Sequence, residues 1–135
     1  MKTCGVDIKS NEAIFVLLDS HGEVIPISDR KIALDDADSS ESVIAFYELL
    51  KEWLFKHHVD KIIIKKRAKK GKFAGGADSF KIEGLLQLMD FCDVKLISPQ
   101  AIATIIKNNP QTVPDDILKY QEAAFWAAIY AIKNS

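Results

Sequence analysis

The most constraining stretch of the chain is Lys2–Asp19. Two apolar runs, Thr3–Ile8 and Ala13–Leu18, flank the polar residues Lys9-Ser10-Asn11-Glu12. Apolar runs of strand length on either side of a short polar turn predict a β-hairpin. Inside the first run sits Gly5-Val6-Asp7. A carboxylate in a buried strand must be matched by a cation, a metal or a set of hydrogen bonds, because a lone buried charge is expensive. Asp7 is therefore the sharpest candidate functional residue. It is either a metal ligand, or the remnant of one, or a carboxylate bonded to local backbone or paired with a lysine.

Further along, Asp19-Ser20-His21-Gly22 reads as a turn and Glu23–Leu34 as a third strand, with Pro26 arguing for an edge position. A helix is predicted over about 39–57. Its cap comes from Asp38, Ser39 or Ser40, and Val43, Phe46, Tyr47, Leu50, Trp53 and Leu54 form one apolar stripe. The β-branched run Lys61–Lys65 reads as a buried parallel strand. A Lys- and Gly-rich loop, 66–76, precedes a helix over about 79–91 and a strand over 94–97. A short helix capped by Ser98 with Pro99 at its first position follows. A last helix is predicted from near Pro114 to about Lys133. The order βββαβαβαα predicts an α/β fold: a mixed five-stranded sheet, three antiparallel strands then parallel ones, with helices on both faces.

Length and charge narrow the function. A chain of 135 residues suits one domain, and a net charge of −1 gives no global attraction to nucleic acid or membrane. No apolar stretch approaches the ~20 residues of a membrane span, and with a strand beginning almost at the first residue no signal peptide is expected. Cys4 and Cys92 lie far apart with no metal-ligand spacing, so two buried free thiols in a reducing, cytoplasmic setting are expected. Locally the charge is uneven: Lys61, Lys65, Lys66, Arg67, Lys69, Lys70 and Lys72 fall within one short segment, out of 18 basic residues in all. Phe73 is a candidate for stacking on a base. The segment is read as a phosphate-binding loop at the sheet edge where open α/β sheets bind ligands; the alternative is a solvated charge run.

The element order with Gly5-Val6-Asp7, the strand Lys61–Lys65 followed by a basic loop and a helix containing Gly84, and the Ala-rich run Glu122-Ala123-Ala124-Phe125-Trp126-Ala127-Ala128-Ile129-Tyr130 together resemble the ribonuclease H-like superfamily. Within it the chain is most similar to bacterial Holliday-junction resolvases, and it also looks like a small bacterial family of unknown function with that fold. The resemblance implies a site of three or four carboxylates holding two divalent metals, Mg²⁺ or Mn²⁺, ~4 Å apart, which activate water against a phosphodiester. Asp7 matches the first-strand acid and Glu122 the terminal-helix acid, so these are the catalytic and metal candidates. Lys65 stands where the fourth-strand acid is expected, and Lys119 where a further acid would precede Glu122. Lys65 either ends its strand in solvent or places an ammonium between Asp7 and Glu122, two carboxylates that would otherwise repel.

Three functions follow from these readings. The first is a DNA- or RNA-binding protein with a degraded or altered nuclease site, using Lys66, Arg67, Lys69, Lys70, Lys72 and Phe73. The second is an active metal-dependent, structure-selective nuclease whose missing ligands come from elsewhere, for example Glu83 or Asp78. The third is a non-catalytic protein-interaction module. A homodimer is compatible with each, and a membrane partner with none.

Overall fold

The computed structural model describes residues 1–68, 76–109 and 113–134. Strands β1 (Thr3–Lys9) and β2 (Glu12–Leu18) form the hairpin, in register from Thr3 opposite Leu18 to Lys9 opposite Glu12. Its turn places Ser10 at φ 55°. The turn is tied down by Asn11, whose carbonyl accepts from Leu34 N at 2.7 Å and whose amide donates to Leu34 O at 3.1 Å.

β3 is much shorter than the apolar residues of 23–34 suggest. Only Lys31–Ala33 form a strand, paired antiparallel to β2. Upstream, the chain touches β2 through an isolated bridge at Val24 and single bonds, Ile25 N to Leu17 O and Phe15 N to Arg30 O, each 2.8 Å. Between those points lies Pro26, which has no N–H to give a ladder. β4 (Lys61–Lys65) lies parallel to β1, and β5 (Asp93–Ile97) parallel to β4. The sheet order is β3-β2-β1-β4-β5, the mixed five-stranded sheet expected from the element order.

Helices cover both faces. α1 (Ser40–Lys56) begins where Ser39 Oγ accepts from Ser42 N, and it buries Phe46, Leu50, Trp53 and Leu54. α2 (Ala77–Gln87) starts and ends slightly earlier than its sequence pattern suggests. Together α1 and α2 pack on the face bearing Cys4, Val6, Ile8, Phe15, Ile62 and Ile64. α3 (Pro99–Asn108) is capped by Ser98 Oγ on Ala101 N, with Pro99 in its first turn. α3 and α4 (Glu122–Lys133) cover the opposite face, with Val16, Leu18, Ile63 and Ile97. Alternation along each strand divides the side chains between the two layers.

α4 begins at Glu122 after a single 3-10 turn, Lys119–Gln121, rather than near Pro114. The cause is Gln121, which is buried and turned onto the sheet. Its Nε2 donates to Phe15 O at 2.9 Å, and its Oε1 accepts from Leu118 N at 3.0 Å and Arg30 Nη1 at 3.3 Å. Leu118 is extended, at φ −75° and ψ 157°, so the helix cannot run back through it. Once started, α4 lies against β1 with no side chain between them at Gly5. A Cβ there would meet the backbone of Ala124 and Ala128. Among the described residues, no helix is long and apolar enough to cross a membrane.

Candidate functional site

Asp7 lies near the end of β1, two residues after Gly5 and so on the same face, toward α4. It is 1% exposed. Register places Val6 beside Ile64 of the parallel strand. Lys65 follows Ile64 on the same face as Ile63 and Asp7, and pairs with Ile97 on its other side. Yet among the described residues the cation against Asp7 is not Lys65. It is Arg67, whose Nη1 lies 3.7 Å from Asp7 Oδ1.

Arg67 reaches this position because the chain leaving β4 is held at two consecutive peptide groups. Lys66 N donates to Ile97 O at 2.8 Å, and Arg67 N donates to Glu83 Oε2 at 2.9 Å. Glu83 is itself buried, on α2. The guanidinium is thereby turned inward, its side chain 16% exposed. The separation of 3.7 Å is too long for a hydrogen bond. Among the described residues, both Asp7 carboxylate oxygens and Arg67 Nε have no hydrogen-bond partner. The pair is thus held by charge alone, in surroundings where an unpaired charge costs several kcal/mol.

Among the described residues, none of the other predicted residues pairs with Asp7. Glu122 is exposed at the first residue of α4, and Lys65 is half-buried. Among the described residues neither Lys65 nor Glu122 forms an ion pair, with Asp7 or with each other. Asp78 is exposed in the first turn of α2, and Glu83 is occupied by Arg67 N. Lys66 is exposed. Lys69, Lys70, Lys72 and Phe73 lie outside the described residues.

The donor set argues against two divalent metals. Two such ions need several oxygen ligands converging on one point. Among the described residues, no group of three or more His, Cys, Asp or Glu side chains is placed to hold a metal ion. The free oxygens of Asp7 are suitable donors, but they face a fixed guanidinium, whose charge opposes that of a dication. The described residues therefore do not fit the metal pair that the resemblance implies. Nor do the thiols supply a nucleophile. Both are free, Cys4 buried as expected but Cys92 only half-buried; burial pushes Cys4 far up from its ordinary value and Cys92 up to about 11, so both stay protonated near neutral pH.

Two features carry no clear signal in the sequence. Gln121 belongs to no motif, and only its position one residue before the Ala-rich helix sets it apart. Arg67 is legible as a member of a basic run but not as the partner of Asp7, since the resemblance singled out Lys65.

Solved structures share this architecture. A Thermus thermophilus RuvC structure superposes with a TM-score of 0.73 at 9% identity, covering 99% of this chain and 95% of that one. A T. thermophilus RuvC in complex with a Holliday junction substrate gives 0.71 at 10% identity, covering 99% and 94%. The fold is that of the RuvC resolvases, ribonuclease H-like; identity this low carries the fold alone. No curated protein sequence matches the chain. A family model described as protein of unknown function, DUF3010, matches residues 1–131, and the chain belongs to that family.

Proposed function

We propose that this chain is a nucleic-acid-binding protein of resolvase-like fold whose nuclease site has been altered. The observation that carries the reading is the Arg67 guanidinium 3.7 Å from Asp7, at the position where the resemblance implies metal. A cluster of bare carboxylates repels a phosphodiester backbone until a metal arrives. Here the one buried carboxylate of β1 is already balanced by a cation. Lys65, Lys66 and Arg67 then lead into Lys69, Lys70 and Lys72, so the local charge favours phosphate without a metal. The fold shared with a protein solved on a Holliday junction substrate makes branched DNA the first ligand to try, with duplex, single-stranded DNA and RNA beside it.

The test is a titration of labelled four-way junction in EDTA over a salt series, followed by addition of Mg²⁺ or Mn²⁺. Binding that weakens with salt, without cleavage on adding metal, is the expected outcome. Replacing Lys66, Lys69, Lys70 and Lys72 by Ala should flatten the log–log salt dependence by about 0.9 for each duplex phosphate no longer neutralised. Arg67 is left in place so that the buried pair is undisturbed. No binding at low salt would end this reading; metal-dependent cleavage of the junction would replace it with an active nuclease. Light scattering on the same samples reports whether the binding species is a homodimer.

A protein-interaction module is the second reading. Phe55 and Phe91 stack at 4.2 Å, Phe55 is 59% exposed and Leu88 63% exposed, and such residues on a helical surface suit a protein partner. Failure to bind any nucleic acid would favour it.

A further inference from the structure

We infer that Arg67 is the permanent counter-ion of Asp7 and holds, within the chain, the charge position that a divalent metal takes in the resemblance family. The inference rests on the ion pair and its surroundings, and it stands whether or not the chain binds nucleic acid. Asp7 lies in the middle strand of the sheet at 1% exposure. A carboxylate in that position must be balanced, and Arg67 is the cation within ion-pair distance among the described residues.

Arg67 is also built in. Its own N–H is taken by the buried Glu83 carboxylate at 2.9 Å, and the preceding N–H by Ile97 O at 2.8 Å. These bonds fix where the guanidinium starts from, so it reaches Asp7 without a long ordered path. An arginine keeps its charge at any ordinary pH, so unlike a metal it cannot be stripped by a chelator. Two consequences separate this from a merely packed arginine. The parent chain should be indifferent to divalent metal, and Asp7 and Arg67 should be energetically coupled. Glu83 has a further consequence: a carboxylate introduced at position 67 would join Asp7 and Glu83 as oxygen donors, the chemistry that hard dications require.

The experiment is thermal unfolding of the full chain in EDTA and in Mn²⁺ at matched ionic strength. It compares the parent with the variants Asp7→Asn, Arg67→Met, the double variant of those two, and Arg67→Glu. The parent midpoint should not move with Mn²⁺. Each single variant should lose about 10 °C, because removing one member of a buried pair strands the other. The double variant should lose clearly less than the sum of the two. Arg67→Glu should melt low in EDTA and recover in Mn²⁺, since a ligand bound only by the folded state raises the midpoint. A Mn²⁺-induced rise in the parent that disappears in Asp7→Asn would overturn the inference, and so would additive losses in the double variant. If a single variant does not fold, the parent's response to Mn²⁺ and the recovery of the double variant still decide.

Discussion

Gly5 lies directly beneath Ala124. A Cβ on Gly5 would stand 1.8 Å from the Ala124 carbonyl oxygen and 2.9 Å from both the Ala124 carbonyl carbon and Ala128 N. All three obstacles are backbone atoms of α4, which no rotamer change removes. Gly5→Ala should therefore cost at least the upper end of the usual overpacking range, about 3 kcal/mol. A urea midpoint equal to the parent's would mean that α4 does not rest on β1 at this distance.

The same contact sets the tolerance of the small residues along α4. Ala127 and Ala128 are fully buried. Ala127→Leu or Ala128→Leu should each destabilise by about 1–3 kcal/mol, less than Gly5→Ala, because side chains around them have some freedom to adjust. Chemical denaturation of the two variants checks this order.

Gln121→Leu removes a side chain that meets Phe15 O, Leu118 N and Arg30 Nη1. Phe15 O lies at the centre of the sheet's outer half, and an unmet buried acceptor costs about 1–3 kcal/mol. The loss should appear in equilibrium stability, and hydrogen exchange should show the start of α4 opening first. A variant as stable as the parent, with unchanged exchange there, would contradict this role.

His57 predicts a pH dependence. Its ring lies 4.5 Å from the Trp53 ring, and Nε2 is 3.2 Å from Ser28 Oγ. Burial first, and then the positive charges of Lys56 and Lys2 with His58, lower its affinity for a proton below the ordinary 6.5; Asp29 acts the other way. The unfolded chain therefore binds the proton at higher pH than the folded one. Stability from neutral His57 is complete above pH 6.5 and is lost as pH falls through the folded value. His57→Gln should melt with a smaller acid-side decline than the parent between about pH 7.5 and 5. The difference should be small, since the ring is part-exposed, and an identical decline in both proteins would show that His57 does not titrate differently on folding.

The sheet and its helices were legible because their signals are local: runs of apolar residues, an apolar stripe on α1, Ser98 as a cap and Ser39 as one of three candidates for another. Where the sequence misled, a distant contact had won. Apolar residues 24–27 carry strand propensity, but Pro26 and the bond from Gln121 leave no ladder for them to join. The start of α4 is set by a glutamine bonded to a strand about a hundred residues earlier, which no local pattern encodes. The Asp7 site was half legible. A carboxylate in a β-rich apolar run announces that it needs a partner, but the identity of that partner depends on how the chain turns after β4. That turn is fixed by Glu83 and Ile97, whereas the resemblance pointed to Lys65.

The outer margin of β2 bears on how the protein behaves when crowded with copies of itself. An open sheet edge with a row of free N–H and C=O groups is a template for strands of other chains. β3 shields only the first residues of β2. Past it, Phe15 N is taken by Arg30 O, Phe15 O by the Gln121 side chain, and Leu17 O by Ile25 N. Arg30 keeps the register of β3, and Leu18 bridges Val24 with a bond on either side, Ile25 N to Leu17 O and Asp19 N to Glu23 O, so the segment before β3 follows β2 antiparallel and occupies much of the edge an incoming strand would need. Between those stretches the Gln121 side chain meets Phe15 O, and a chain lacking it would leave that carbonyl open at the edge.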